Sequence, residues 1–186
     1  MGPRDLLRRV SEDLTRLRVR HFVTGSMGSM AYGEYRSTVD VDLVAEVQVN
    51  HVRAVVEAFP GPNFYLSEEA MLSAIRSHGQ FNLIHVPSAM KVDFMIPERS
   101  AFNASRFARV REIPMEAGFS VPVASPEDII LMKLRYYQMG GSDKHLRDSA
   151  GILRILGAEV DRAYITQWSR SLGVLEEWQA LLERAG

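Results

Sequence analysis

A short segment near the N-terminus, rich in glycine and followed by two aspartates, constrains the fold more than any other part of the sequence. An apolar run, Phe22-Val23-Thr24, leads into Gly25-Ser26-Met27-Gly28-Ser29, and a second apolar run, Val39 to Val44, carries Asp40 and Asp42. This order predicts a strand, a glycine turn, a short helix and a second strand. Because side chains alternate between the two faces of a strand, both carboxylates are expected on one face.

The residue types in this segment indicate phosphoryl chemistry. Two neighbouring carboxylates repel each other and raise each other's pKa unless a cation lies between them. Magnesium and manganese prefer hard oxygen ligands of this kind. The Gly25-Ser26 turn ahead of the short helix would offer backbone N–H groups to a phosphate. A phosphate site beside metal-binding carboxylates is typical of enzymes that transfer phosphoryl groups.

A third carboxylate is expected from a later strand. The sequence Lys91-Val92-Asp93-Phe94-Met95-Ile96 alternates so that Lys91, Asp93 and Met95 share one face. A carboxylate within an apolar strand is costly unless it has a partner. Asp93 is therefore predicted as the third ligand of a metal site that also includes Asp40 and Asp42.

The elements as a whole predict an α+β fold, with a small mixed β-sheet and flanking helices followed by a C-terminal helical domain. Beyond Ser125 the sequence contains no further strand signal, and Ser125-Pro126-Glu127-Asp128 is a strong helix start. We predict a core domain at 1–124 and a helical domain at 125–186. The predicted strands are 21–24, 39–47, 81–86, 91–96, 110–113 and 119–123, and the last four predicted helices are 125–139, 142–156, 161–172 and 175–184.

The overall composition fits a soluble intracellular protein. The formal charge of the 186 residues is −1, so no general basic field attracts nucleic acid, although a local patch could serve. The chain has no cysteine, which excludes disulfides and thiolate metal sites. No apolar run approaches the roughly 20 residues that cross a bilayer. We expect a cytoplasmic location and no membrane partner.

These motifs together resemble the nucleotidyltransferase superfamily, which shares the fold of DNA polymerase beta and of kanamycin nucleotidyltransferase. The superfamily motif is Gly-Ser, then Asp-x-Asp, then a third aspartate on a later strand. Thr24-Gly25-Ser26, Arg36-Ser37-Thr38-Val39-Asp40-Val41-Asp42 and Lys91-Val92-Asp93 are most similar to stand-alone nucleotidyltransferases related to the AbiEii toxins. The resemblance covers roughly Phe22 to Leu156.

The resemblance implies a role for each matching residue. Gly25 and Ser26 would bind the triphosphate of a nucleoside triphosphate substrate, while Asp40, Asp42 and Asp93 would hold Mg²⁺ or Mn²⁺. Asp93 would also help to activate the attacking hydroxyl. A second Gly-Ser pair ends at Ser29, so the sequence leaves open which serine meets the phosphate.

In the toxin-related branch, the site also includes a lysine and a later aspartate from the helical domain. Lys133 and Asp148 occupy the corresponding places, Lys133 as a catalytic and nucleotide-binding residue and Asp148 as a nucleotide-binding residue. Two alternatives stay open from the residues themselves. Lys133 could extend its amine from an apolar helix face into solvent, and Asp148 could form a helical ion pair with Lys144.

The function implied is metal-dependent transfer of a nucleoside monophosphate to a hydroxyl acceptor. The toxin resemblance suggests RNA, such as tRNA, as acceptor and a cognate antitoxin as protein partner. One alternative is a small acceptor of the aminoglycoside type, which requires an acidic pocket, for which Glu68, Glu69, Glu112 and Glu116 are available. The other is a catalytically silent nucleotide-binding or partner-binding module.

Three further groups of residues could belong to a site or to the surface and core. Arg99, Arg106, Arg109 and Arg111 lie close in sequence and could contact a nucleic-acid backbone, but a solvated set is the simpler interpretation. His145 is expected on a helix surface. Trp168 and Trp178 are expected to pack between helices rather than to stack on bases.

Overall fold

The structure is a computed structural model that describes residues 1–33, 40–116 and 118–185. These residues form nine α-helices and seven β-strands. The helices are α1 (Pro3–Arg16), α2 (Gly25–Met30), α3 (Val52–Ala58), α4 (Glu68–Ser77), α5 (Ala101–Ala108), α6 (Pro126–Gly140), α7 (Asp143–Leu156), α8 (Arg162–Leu172) and α9 (Leu175–Ala185). The strands are β1 (His21–Val23), β2 (Val41–Ala45), β3 (Phe64–Leu66), β4 (Gln80–His85), β5 (Met90–Met95), β6 (Arg111–Glu116) and β7 (Phe119–Val123).

The seven strands form one mixed sheet in the order β3-β4-β5-β2-β1-β7-β6. The pairs β2–β5 and β1–β7 are parallel, and the other four pairs are antiparallel. This arrangement confirms the predicted α+β class. The strand order places β5, β2 and β1 next to one another at the centre of the sheet, and these are the strands that carry or precede the predicted site residues.

The helix boundaries follow local capping chemistry, as the sequence predicts. The Ser125 hydroxyl accepts a hydrogen bond from the Asp128 N–H at 3.2 Å, and Pro126 occupies the first helical position of α6. α6 ends where Gly141 adopts a φ of +65°, a left-handed conformation that glycine takes without a Cβ clash. The short turn that follows folds α7 back against α6, which brings residues 133 and 148 of the two helices together.

Two local predictions differ from the structure. Gly25 and Ser26 are predicted as a turn, but α2 begins at Gly25 itself, directly after β1. The edge strand β3 is not predicted, because three residues following a Pro-Gly-Pro sequence give too short a pattern for detection. Part of the predicted second strand, residue 39, and the Arg36–Val39 portion of the superfamily motif lie outside the described residues.

One hydrophobic core extends through the sheet and the C-terminal helices. It joins Phe22 of β1, Leu43 of β2 and Phe94 of β5 to Ile130 of α6 and Trp178 of α9, all at most 1% exposed. The division into 1–124 and 125–186 stays a prediction, and the change from strands to helices falls between β7 and α6. None of the helices in the described parts of the chain combines the length and apolar character needed to span a membrane.

Candidate active site

The central feature of the site is the register between β2 and β5. In this parallel pair, Asp42 lies directly beside Asp93. Side chains at paired positions of neighbouring strands point to the same face, so the two carboxylates face one cleft of about 340 Å³. Asp40 lies one residue before β2 and lines the same cleft. We call this cleft of about 340 Å³ the carboxylate cleft, and the structure brings all three predicted aspartates to it.

The electrostatics of the carboxylate cleft indicate a site for a cation. Burial raises the pKa of Asp42 above its usual value, and the neighbouring charges of Asp93 and Asp40 raise it further. A hydrogen bond from the Ser26 backbone N–H and the charge of Lys91 oppose this increase in pKa. The Lys91 Nζ lies 2.8 Å from the Asp93 Oδ2. A lysine therefore neutralises only part of the negative charge.

The donor set fits a hard divalent cation. Carboxylate oxygens from adjacent strands are ligands that Mg²⁺ and Mn²⁺ accept. Within the described ranges, no group of three or more His, Asp or Glu side chains is already arranged to hold a metal ion. The pair formed by Asp42 and Asp93 is in register, whereas Asp40 is exposed at the strand start.

Gly25 lets α2 approach the carboxylate of Asp42. Its φ is +64°, and a Cβ at this position would lie 2.0 Å from the Asp42 Oδ2. The preceding residue, Thr24, donates its backbone N–H to the Asp42 carbonyl at 2.9 Å, which holds the end of β1 to the start of β2. Ser26 follows at the cleft wall. This close approach requires a glycine at residue 25.

The structure separates the two candidate serines. Ser26 lines the carboxylate cleft, whereas Ser29 is 2% exposed and donates its hydroxyl to the Gly25 carbonyl at 3.0 Å. Ser29 does not line the cleft, because its side chain is buried and its hydroxyl is bonded back to the Gly25 carbonyl. Its predicted nucleotide contact does not agree with this position, and its hydroxyl stabilises the turn that presents Ser26.

Lys133 and Asp148 meet in a buried ion pair between α6 and α7. Both residues are 4% exposed, and the Lys133 Nζ donates to the Asp148 Oδ2. Lys133 also lines the carboxylate cleft. Its amine does not extend into solvent, so that alternative for Lys133 is wrong. The pair joins the helical region to the wall of the cleft.

Several residues in the carboxylate cleft are not predicted from the sequence. Tyr136 of α6 and His145 of α7 line it, with ring centroids 5.7 Å apart. His145 is half-buried at the cleft rather than fully exposed on the helix surface. Lys91 and Lys144 add positive charge beside the carboxylates. The short turn between α6 and α7 could have indicated that Tyr136 and His145 lie close together, because antiparallel helices bring residues near the turn together.

The acidic residues considered for a small cationic acceptor do not meet. Glu68 and Glu69 begin α4, which connects β3 and β4 at one edge of the sheet, whereas Glu112 lies on β6 at the other edge. None of these three lines the carboxylate cleft. The side chain of Glu116 lies outside the described residues.

The fold is similar to that of several solved nucleotidyltransferases. The crystal structure of ANT(2'')-Ia in complex with adenylyl-2''-tobramycin matches with a TM-score of 0.58 and 16% identity, over 98% of this chain and 98% of that chain. An antigenic nucleotidyltransferase-like protein from Paracoccidioides brasiliensis matches with a TM-score of 0.56 and 16% identity, over 98% and 92%. The lincomycin-bound lincosamide antibiotic adenylyltransferase LnuA matches with a TM-score of 0.52 and 12% identity, over 78% of this chain and 93% of that chain.

At such low identities these likenesses establish the fold alone, and a sequence comparison with curated proteins finds no match. The family assignment comes from a family model described as the nucleotidyl transferase AbiEii toxin of a type IV toxin–antitoxin system, which matches residues 25–169. The matched segment runs from Gly25 past Asp148 and so includes every predicted site residue. The chain therefore belongs to the AbiEii family and is a nucleotidyltransferase.

Proposed function

We propose that the protein transfers a nucleoside monophosphate from a nucleoside triphosphate to a hydroxyl group of RNA, with Mg²⁺ or Mn²⁺ as cofactor. The observation that carries this proposal is the register of Asp42 and Asp93 on adjacent parallel strands, facing a cleft that Ser26 and Lys133 also line. Acidic metal ligands and phosphate-binding groups then share one small volume, as nucleotidyl transfer requires.

The proposed reaction balances as a simple displacement at phosphorus. The acceptor oxygen forms a bond to the α-phosphorus, the bond from that phosphorus to the oxygen bridging the α- and β-phosphates breaks, and pyrophosphate leaves with that oxygen. The proton of the acceptor hydroxyl passes toward Asp93. Ser26 and Lys133 bind the triphosphate, with Lys133 supplying a positive point charge.

The aspartates would supply the metal site. Asp40, Asp42 and Asp93 would hold the divalent cations, which neutralise charge on the attacking and leaving oxygens. Residues 1–124 would contribute these carboxylates as the core domain, and residues 125–186 would contribute Lys133 and Asp148 as the helical domain. Asp148 holds the Lys133 amine at the cleft wall, which would position that charge against the nucleotide.

The positions of the candidate glutamates favour RNA over a small polycationic acceptor. An aminoglycoside needs an acidic pocket, and the candidate glutamates Glu68, Glu69 and Glu112 lie apart from the cleft. We propose that the activity acts as a toxin in the cytoplasm, where nucleoside triphosphates and RNA are present, and that a cognate antitoxin protein restrains it. The family description supports the toxin role.

The test is label transfer from each α-labelled nucleoside triphosphate into a total RNA pool, with magnesium or manganese or with a chelator. Intact protein is compared with Asp42→Ala, and Asp143→Asn, which changes an exposed aspartate outside the cleft, serves as the matched control. We expect label in RNA with the intact protein and with Asp143→Asn, but not with Asp42→Ala or with chelator.

Other outcomes would point to the alternatives. Label entering tobramycin but not RNA would replace the RNA proposal with a small-molecule acceptor. Nucleotide binding without transfer to either acceptor would indicate a silent binding module. Equal incorporation by Asp42→Ala would show that the carboxylate cleft is not the catalytic site.

A further inference from the structure

Three of the four arginines that are close in sequence have different environments in the structure. The Arg109 Nη2 lies 2.9 Å from the Glu127 Oε2, and the Arg111 Nη2 lies 4.0 Å from the same oxygen. Glu127 is fully buried and accepts a hydrogen bond from the Asp161 N–H. Arg109 and Arg111 therefore share one carboxylate and have a structural role. Arg106 has no such partner.

Arg106 is a buried cation without an ion pair to any described residue. It is 5% exposed, and its Nη1 donates to the Asn103 Oδ1 at 3.0 Å. Its Cζ lies 4.9 Å from the ring centroid of Phe22 and 5.6 Å from that of Phe102, so aromatic rings hold the guanidinium in place. Its Nε is buried and has no hydrogen-bond acceptor among the described residues. The charge of buried Asp128 opposes the effect of burial on the pKa of Arg106, but the Nε donor stays unsatisfied, which is unfavourable unless an acceptor such as a bound anion meets it.

Arg106 lines a second cleft, of about 640 Å³, that adjoins the carboxylate cleft. We call it the arginine cleft. Arg135 of α6, half-buried and with no ion pair or hydrogen bond to a described residue, lines it too. The charge of Arg135 is one cause, after burial, of the lowered pKa of Arg106, so the two cations lie close enough to repel each other. The residues that line both clefts are Thr24, Gln80, Met95, Met132 and Tyr136.

The rest of the arginine cleft suits a nucleotide unit. Trp168 is half-buried there, with its ring centroid 5.1 Å from that of Phe102. Among the described residues that line this cleft, Glu98 is the only acidic one, and it is exposed. Two unpaired arginines beside an indole match a phosphate joined to a base, because arginine binds phosphate through several donors and indole rings stack on bases.

We propose that the arginine cleft is the acceptor subsite and that Arg106 and Arg135 bind a backbone phosphate of the RNA close to the reacting hydroxyl. This assignment rests on the proposed transfer to RNA. The cleft adjoins the carboxylates on the side of Met95 and Tyr136, whereas Ser26 and Lys133 line the carboxylate cleft and not the arginine cleft. The acceptor and the triphosphate then approach the carboxylates from different sides.

The test is direct binding of a short 5′-fluorescein-labelled single-stranded RNA with a free 3′ hydroxyl to the full chain, followed by anisotropy at several salt concentrations. Arg135→Gln should weaken RNA binding by about tenfold and reduce the salt dependence by roughly one phosphate contact. It should leave nucleoside triphosphate binding unchanged. Arg154→Gln, which changes an exposed arginine of α7 outside both clefts, should change neither.

Arg106→Gln should weaken RNA binding in the same way, and a thermal melt shows whether it folds. If it does not fold, Arg135→Gln decides the question by itself, since the Arg135 side chain makes no hydrogen bond or ion pair with a described residue that the substitution could remove. Equal RNA affinity for Arg135→Gln and Arg154→Gln would overturn the proposal.

Two more outcomes would overturn the assignment to the acceptor. Loss of triphosphate binding in Arg135→Gln, with RNA binding retained, would assign the arginines to the nucleotide substrate. Displacement of RNA by inorganic phosphate far beyond that by chloride at equal ionic strength would make the cleft a site for free phosphate. Because the measurement is binding, a failure of label transfer with RNA binding still dependent on Arg135 would reject the proposed reaction and keep the subsite.

Discussion

The carboxylate of Asp42 lies in the space that a side chain at Gly25 would occupy, since a Cβ there would be 2.0 Å from the Asp42 Oδ2. The backbone of Gly25 also has a φ of +64°, which residues other than glycine rarely adopt. Steric contact and backbone conformation therefore both require glycine at this position. The same contact fixes where the Asp42 carboxylate can be.

Replacing Gly25 with alanine should displace the Asp42 carboxylate. We expect Gly25→Ala to cost about 1–3 kcal/mol in unfolding free energy and to remove most nucleotidyl transfer. Urea denaturation and the label-transfer assay measure the two effects. Gly140→Ala is the matched control, because no atom lies within 4 Å of a Cβ at that helical position. Full activity in Gly25→Ala would show that the Asp42 position does not depend on this contact.

Replacing Asp42 with asparagine should stabilise the protein while it abolishes transfer. Burial, Asp93 and Asp40 raise the pKa of Asp42 in the folded state. Between the usual aspartate pKa and this raised value, the folded state binds more protons than the unfolded state, so stability falls as pH rises. At neutral pH the ionised Asp42 therefore lowers stability.

We expect the Tm of Asp42→Asn at neutral pH, without divalent cation, to exceed that of the intact protein, and transfer to fall by at least about a hundredfold. Added magnesium should raise the Tm of the intact protein more than that of the variant. A lower Tm for Asp42→Asn at neutral pH would contradict the prediction.

Breaking the buried pair between Lys133 and Asp148 should be costly. Either Lys133→Met or Asp148→Leu leaves one charge in a buried place and should lower the unfolding free energy by about 3–5 kcal/mol. The double variant removes both charges and should recover much of that loss while remaining inactive. A double-mutant cycle by urea denaturation measures the coupling. Additive losses in the double variant would show that the pair is not coupled.

Buried His21 should make the protein sensitive to mild acid. The Ser11 Oγ lies 2.8 Å from its Nε2, and the Val19 carbonyl lies 2.9 Å from its Nδ1. Burial lowers the pKa of His21 below its ordinary value of 6.5, although the bond to Val19 opposes this. The unfolded state then takes up a proton first as pH falls below 6.5, so stability is present above that pH and is lost below it.

Unfolding free energy measured between neutral pH and the acid range should decline less steeply for His21→Gln than for the intact protein. The comparison uses the slope, because the substitution also changes packing. His78→Asn, at an exposed position with a φ of +50°, is the control and should keep the original slope. An unchanged slope in His21→Gln would mean that another group causes the acid sensitivity.

Much of the fold could be predicted because its signals are local. Ser125-Pro126 starts α6 and Gly141 ends it, and the alternation around Asp93 marks β5. Such patterns depend on hydrogen bonds and side-chain directions within a few residues. The three-residue strand β3 was missed because its pairing with β4, rather than its own sequence, makes it a strand.

The sequence by itself determined the order of the elements and the identity of the carboxylates, because capping and strand periodicity act between neighbours in the chain. Only the tertiary structure showed that Asp42 lies beside Asp93 and that Ser26, rather than Ser29, lines the cleft. It also separated Trp178, buried in the core, from Trp168 at the arginine cleft. Strand register and helix packing join residues far apart in the chain, and a one-residue change of register would turn either aspartate to the other face.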